Sequence, residues 1–138
     1  MIEHRYYIER YDWSVTAYYA VNCYFTDEIM SNLIEIGCNG SMLKKAKKNL
    51  EDNNLNTGLT YSNYRKRETV MVVALTSNSK EFHRSLFHEI RHLQSHIASA
   101  YGISEKSEEV CYLIDEIVDK VHDKCSHLIC KCCRKKDN

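Results

Sequence analysis

The chain has 138 residues, 19 basic and 19 acidic side chains, and therefore a formal net charge of zero. This length predicts one domain that is large enough to bury most of its apolar surface. The balanced charge argues against partners such as nucleic acid or an acidic membrane surface. No apolar run approaches the roughly 18 residues that a membrane span requires.

The N-terminus and the cysteines predict the compartment. Residues 1–5 lack the basic and apolar regions of a secretory signal. An odd number of cysteines, seven in all, without such a signal predicts reduced thiols in a cytoplasmic protein. Three of the cysteines are scattered, and the other four crowd the C-terminal end.

The first half of the chain predicts strands followed by two helices. Residues Tyr6 to Asn22 are aromatic and β-branched in partial alternation, which predicts one or two strands. Helices are predicted from Asp27 to Ile36 and from Ser41 to Glu51. The second helix carries a lysine cluster that we interpret as a solvated helix face rather than a phosphate site. Its members are Lys44, Lys45, Lys47 and Lys48.

The second half begins with turn-forming residues and a predicted hairpin. Residues 52–58 are rich in Asp, Asn and Gly, which favours a turn between the two halves. Leu59 to Tyr64 and Glu68 to Thr76 then predict two paired strands, the second with a continuous apolar run from Val70 to Leu75. The chain is therefore expected to be an α+β domain with helices packed on one small sheet.

A long helix is predicted from Glu81 to Tyr101. Asn78 followed by Glu81 is typical of a helix start, and Gly102 is typical of a helix end. Its apolar side chains recur at spacings of three and four, which predicts a broad buried stripe. They are Phe82, Leu86, Phe87, Ile90, Leu93, Ile97 and Tyr101.

Inside this helix, residues 88–92 form an HExxH motif. His88 and His92 are four residues apart, so a helix places both imidazoles on one face, where they can bind one ion. Glu89 is then positioned to take a proton from a metal-bound water. The motif lies beside the apolar stripe, as ligands at the margin of a buried helix should. The pattern predicts a zinc site for metal-assisted hydrolysis.

A catalytic zinc normally has three protein ligands, so one more is expected. His96 continues the series of four-residue steps, but it stands about 12 Å along the helix axis from His88. We therefore expect His96 beside the site or on the surface. Glu108 and Glu109 open the next predicted helix, after a short turn from Tyr101 to Ser104. Helical phase places Glu109 slightly nearer the apolar stripe, and the residues alone do not decide which of the two carboxylates is the third ligand.

The order of these motifs resembles a minimal gluzincin. In that group of zincins, the HExxH helix is followed by a second helix whose Glu ligand lies in an E-x-x-A pattern. Small HExxH proteins of bacteriophages and mobile elements are similar in length and in the order of their elements. The pattern falls on Glu108, with Cys111 in the small-residue place. Tyr112 stands where many family members have Asp.

The resemblance implies both a ligand set and an activity. His88, His92 and Glu108 would hold Zn2+, and Glu89 would be the catalytic general base. The implied fold is a small zincin-like domain, with a short sheet packed against the HExxH helix and the following Glu-bearing helix. The implied activity is that of a zinc metallopeptidase, whose peptide or protein substrate adds as a strand to an edge of the sheet. The sequence leaves open which strand forms that edge.

Several alternatives remain open at this stage. The first is a zincin-fold protein that cleaves nothing, such as a phage-related structural component, which the Tyr at position 112 favours. The second is a regulator with a zinc sensor and a redox-active tail. For the peptidase, the side chain that stabilises the oxyanion is not identified. Its candidates are Tyr101, His96 and Tyr112.

The C-terminal segment is interpreted as a tail. The predicted domain covers residues 1–124, and residues 125–138 form a Cys- and Lys-rich end. Basic residues 134–136 are expected to hold nearby thiols partly as thiolate. The soft ligands are crowded into a dozen residues, which favours a frayed or adventitious metal-binding end over an ordered second zinc site. They are His122, Cys125, His127, Cys130, Cys132 and Cys133.

Overall fold

The structure, a computed structural model, describes residues 1–22, 26–52 and 58–129. The strands in these ranges are β1 (Ile2–Ile8), β2 (Trp13–Val21), β3 (Gly58–Asn63) and β4 (Glu68–Ala74). The helices are α1 (Thr26–Glu35), α2 (Gly40–Glu51), α3 (Ser79–Tyr101) and α4 (Glu108–Ile129). A turn of 3-10 helix, Glu9–Tyr11, joins β1 to β2. These elements confirm the predicted α+β class.

The four strands form one mixed sheet in the order β1-β2-β4-β3. The outer pairs, β1 with β2 and β3 with β4, are antiparallel, whereas β2 and β4 run parallel at the centre. The predicted hairpin is therefore confirmed, and β3 is one edge of the sheet. The predicted strand region from Tyr6 to Asn22 contains two strands, and the first begins earlier, at Ile2.

Helices cover both faces of the sheet, and a separate apolar cluster fills each interface. Side chains that alternate along β2 and β4 divide between the two faces, as the two-residue period of a strand requires. The cluster under α3 and α4 includes Trp13, Val15, Ala17, Tyr19, Met71, Val73, Leu86, Ile90, Leu93, Leu113 and Ile117. The cluster under α1 and α2 includes Tyr18, Ile29, Met30, Leu33, Leu50, Val70 and Val72.

The ends of α3 agree with the sequence prediction. The Asn78 side chain accepts a hydrogen bond from the backbone N–H of Glu81 at 2.9 Å, so it caps the helix. Gly102 has a φ of 66°, and its N–H closes the last turn. Leu75, by contrast, was expected in the strand that precedes α3. It lies just after β4 and is exposed.

The sequence predicts a tail that starts at residue 125, but the last helix extends beyond that point. Helix α4 continues through residues 125–129, and Cys125 is fully buried in the cluster under α3 and α4. Residues 130–138 lie outside the described part of the chain. Among the helices of the described ranges, none is both long and apolar enough to cross a membrane.

Candidate metal centre

Successive turns of α3 bring His88, Glu89 and His92 together. One ligand atom from each side chain lies within 4.8 Å of the other two, and the imidazole centroids are 5.0 Å apart. Both histidines are exposed, whereas Glu89 is only 1% exposed. Three of the four predicted site residues therefore meet at one place. Within residues 1–22, 26–52 and 58–129, no other group of three or more His, Cys, Asp or Glu side chains meets this closeness.

Strand β3 determines the position of Glu89. A helix turns about 100° per residue, so Glu89 leaves α3 on the side of the neighbouring strand, while its carboxylate stays within 4.8 Å of the ligand nitrogens of His88 and His92. There the Thr60 hydroxyl donates a hydrogen bond to Glu89 Oε1 at 3.0 Å. A buried carboxylate needs such donors, because unpaired burial of a charge is costly. This bond anchors the carboxylate beside the two imidazoles.

Gly58 lets the start of β3 approach α3. Its φ of 151° is a conformation that side-chain-bearing residues rarely adopt. A Cβ at this position would lie 1.9 Å from the carbonyl oxygen of Val72 and 3.2 Å from Glu89 Cγ. Any side chain would therefore push β3 away from β4 and from the carboxylate. The close packing of β3 on α3 depends on this glycine.

His96 lies one turn beyond His92 and belongs to a buried polar chain. Its Nδ1 is 2.7 Å from Ser62 Oγ, and its ring centroid is 6.4 Å from that of His92. Burial lowers the pKa of His96 below the ordinary 6.5, and the nearby His92 adds to that effect. The side chain is half-buried and lies beside the group of His88, Glu89 and His92, which was one of its two positions expected from the sequence.

The predicted third ligand lies elsewhere in the described structure. Glu108 is exposed at the first residue of α4 and does not belong to the cluster of His88, Glu89 and His92. Glu109 accepts a hydrogen bond from the Tyr11 hydroxyl at 3.0 Å. The short turn before α4 is held on α3 by Glu105, which accepts bonds from Gln94 at 2.6 Å and Ser95 at 2.9 Å. The turn thus has its own carboxylate anchor.

The three oxyanion candidates differ in position. The Tyr101 hydroxyl donates to the backbone oxygen of Tyr11 at the far end of α3, and the Tyr101 and Tyr11 rings pack edge to face. Tyr112 is exposed on α4. Of the three, His96 is the one whose ring lies near that of His92.

The C-terminal thiols are placed only in part. Burial raises the pKa of Cys125 to about 12, and a hydrogen bond from Tyr19 opposes that rise. The expected thiolate character does not hold for this residue, because burial in the apolar cluster disfavours the charged form of the thiol. Cys130, Cys132 and Cys133 lie outside the described residues. The expectation of a frayed or adventitious metal-binding end therefore stays a prediction.

Sequence reasoning missed Thr60 and Ser62. Both lie on β3 two residues apart, and their side chains face α3, where they contact Glu89 and His96 respectively. The sequence does contain a pattern that could have indicated them: small or polar residues recur at every second position of this strand, at Gly58, Thr60 and Ser62. Such a pattern indicates a polar face, but it does not say which helix covers that face.

Comparisons of the chain with protein-family models, curated proteins and solved structures found no match. The resemblance to gluzincins is therefore an expectation that rests on the HExxH motif and on the helix that follows it.

Proposed function

We propose that the chain is a zinc-dependent hydrolase that cleaves peptide bonds. The observation that carries this proposal is the joint position of His88, Glu89 and His92. Two exposed imidazoles and one buried, hydrogen-bonded carboxylate lie within 4.8 Å of one another on one rigid helix. A coincidental HExxH sequence has no reason to place the carboxylate in contact with an anchoring hydroxyl.

The donor set fits a zinc ion. Ligand nitrogens of a tetrahedral zinc, at about 2.0–2.1 Å from the metal, are about 3.3 Å apart. Small rotations of His88 and His92, both at the surface, close the present separation of at most 4.8 Å. Zinc bound there would supply a water of lowered pKa and a Lewis acid for the scissile carbonyl.

Glu89 is proposed as the general base. Its carboxylate accepts a proton from the attacking water and then passes it to the leaving amine. The bond from Thr60 restricts the side chain to one position, so that the base does not have to be oriented during each turnover. The third zinc ligand, Glu108, is implied by the gluzincin resemblance alone, since Glu108 lies outside the group of His88, Glu89 and His92, and it needs a test of its own.

The position of β3 supports a peptide as the substrate. β3 is an edge strand that packs beside α3, so its free edge can pair with an extended peptide that passes the histidines. His88 and His92 do not line the two cavities of about 490 Å³ elsewhere on the domain. Both histidines lie on an open surface, which suits a polymer better than an enclosed small molecule.

The test is zinc content and turnover in the full-length chain. Cys130, Cys132 and Cys133 are changed to Ser in every sample, so that the tail thiols hold no zinc. We expect one zinc per chain, lost in His92→Ala and kept in His83→Ala, an exposed histidine of α3 outside the cluster. Loss of zinc in Glu108→Ala would assign that residue as the third ligand.

Glu89→Gln separates catalysis from metal binding. We expect this variant to keep its zinc and to lose turnover of a randomised peptide mixture by about 10²–10⁴-fold, because the amide is not a base. Elemental analysis and a fluorogenic assay measure the two properties on one sample. Turnover equal to that of the unsubstituted protein would overturn the assignment of Glu89.

A second candidate is a metal-binding protein without hydrolase activity. Its supporting observation is that the Glu89 carboxylate belongs to the same 4.8 Å group as the imidazoles, so it can serve as the third ligand itself. In that case Glu89→Gln would lower the affinity for zinc, and the unsubstituted protein would cleave no peptide. The two candidates therefore predict opposite results for the zinc content of one variant.

A further inference from the structure

A buried chain of hydrogen bonds connects the centre of the sheet to His96. Trp13 Nε1 donates to Thr69 Oγ1 at 2.8 Å, and Thr69 Oγ1 lies 2.7 Å from Ser62 Oγ. Ser62 Oγ in turn lies 2.7 Å from His96 Nδ1. The chain thus crosses from β2 through β4 and β3 to α3. Trp13, Thr69 and Ser62 are all buried.

The indole sets the direction of this chain. An indole nitrogen is a donor only, so Thr69 Oγ1 accepts from Trp13 and needs an acceptor for its own proton. In the described part of the protein, the acceptor that its hydrogen bonds offer is Ser62 Oγ. Ser62 then donates its proton to the remaining partner, His96 Nδ1. The reverse direction leaves the buried Thr69 proton unpaired, at a cost of about 1–3 kcal/mol.

This direction determines the tautomer of His96. A ring whose Nδ1 accepts a hydrogen bond is neutral and carries its proton on Nε2. Across the described residues, the one buried side-chain polar atom without a partner is the Tyr6 hydroxyl. Among the described residues, His96 Nε2 makes no hydrogen bond, and the ring is half-buried rather than enclosed. This nitrogen is therefore an N–H donor without a protein partner in that part of the chain, and it can bind an incoming ligand.

We propose that Trp13, Thr69 and Ser62 hold His96 as an Nε2–H donor that stabilises the negative charge on the substrate's carbonyl oxygen. The inference rests on the proposed hydrolase function and names a further catalytic residue for it. His96 is suited to this role because it lies on the turn after His92, with ring centroids 6.4 Å apart. With the proton on Nε2, that nitrogen has no free lone pair and is not a metal ligand. Ser62 and Thr69 act as positioning residues.

The tautomer is tested by two-bond proton–nitrogen NMR correlation on the full-length protein labelled with 15N-histidine. The His96 signals are assigned by their absence in His96→Gln. We expect Nε2 to be the protonated nitrogen in the unsubstituted chain. Ser62→Ala should give a mixture of tautomers, whereas Ser14→Ala, an exposed hydroxyl on β2, should change nothing. Protonation of Nδ1 in the unsubstituted chain would overturn the inference.

The catalytic role is tested on the zinc-loaded full-length chain with a randomised fluorogenic peptide mixture. His96→Ala should lower kcat by about 100-fold, as removal of one oxyanion donor typically does, with KM and zinc content unchanged. His96→Gln, which keeps an N–H donor, should recover part of the lost kcat. An unchanged kcat in His96→Ala, or a loss of zinc, would overturn the donor role.

The two measurements distinguish a failure of this inference from a failure of the proposed hydrolase function. The NMR result requires neither zinc nor turnover, so it stands even if the hydrolase proposal fails. A protein that binds zinc but cleaves no peptide would overturn both the proposed function and the donor role of His96. A protein that cleaves peptides with Nδ1 protonated would overturn this inference alone.

Discussion

The two faces of the sheet are built on different principles. Six polar or charged residues are buried in the described structure, and five of them lie on α3 or on strand positions linked to it: Ser62, Thr69, Ser85, Glu89 and Gln94. The sixth is Thr26, at the start of α1. Burial of polar groups is costly unless each has a hydrogen-bond partner. The concentration of buried polar groups therefore distinguishes the face that packs against α3. Apolar burial stabilises both faces, and the cluster under α3 and α4 is the larger of the two.

The largest effect is expected from damage to the apolar face. Leu33→Ala removes a fully buried side chain under α1 and should lower the free energy of unfolding by about 2–5 kcal/mol. The zinc content of the folded protein should stay the same. Ile34→Ala, at an exposed neighbour, should change stability by less than about 0.5 kcal/mol. Urea denaturation measures both variants, and zinc loss in Leu33→Ala would show that the faces are not independent.

An intermediate effect is expected from the polar face. Thr60→Val removes the donor to the Glu89 carboxylate and should lower the free energy of unfolding by about 1–3 kcal/mol. Turnover should fall as well, because the base is no longer held. Thr60→Ser keeps the hydroxyl and serves as the matched control in the same denaturation and activity assays. Equal behaviour of the Val and Ser variants would remove Thr60 from the site.

The smallest effect concerns pH and a histidine distant from α3. Burial lowers the pKa of His4 below 6.5, and Lys124 and Lys120 lower it further, while Asp123 opposes them. The unfolded chain therefore binds the proton more readily, and the free energy of unfolding should fall as the pH drops below about 6.5. His4→Gln should flatten this dependence in denaturation series between pH 7 and 5. An unchanged slope would contradict the assignment.

The sequence predicted most of the secondary structure and the centre of the site. The spacing of four residues between His88 and His92, the cap at Asn78 and the end at Gly102 all depend on contacts within one helix. Such contacts follow from local geometry, so they can be read from the chain alone. The assignment of Leu75 to a strand was wrong, because apolar character alone does not show where a strand ends.

The tertiary structure decided which groups surround His88, Glu89 and His92. Thr60 is 29 residues from Glu89, and Ser62 is 34 residues from His96. These pairs exist because the strand order places β3 at the sheet edge beside α3, and no periodicity in the sequence specifies strand order. The position of Glu108 likewise depends on how α4 packs after its turn. Local spacing thus determined that His88 and His92 share one helix face. Long-range packing determined the partners of Glu89 and His96, because those contacts form only when distant segments meet.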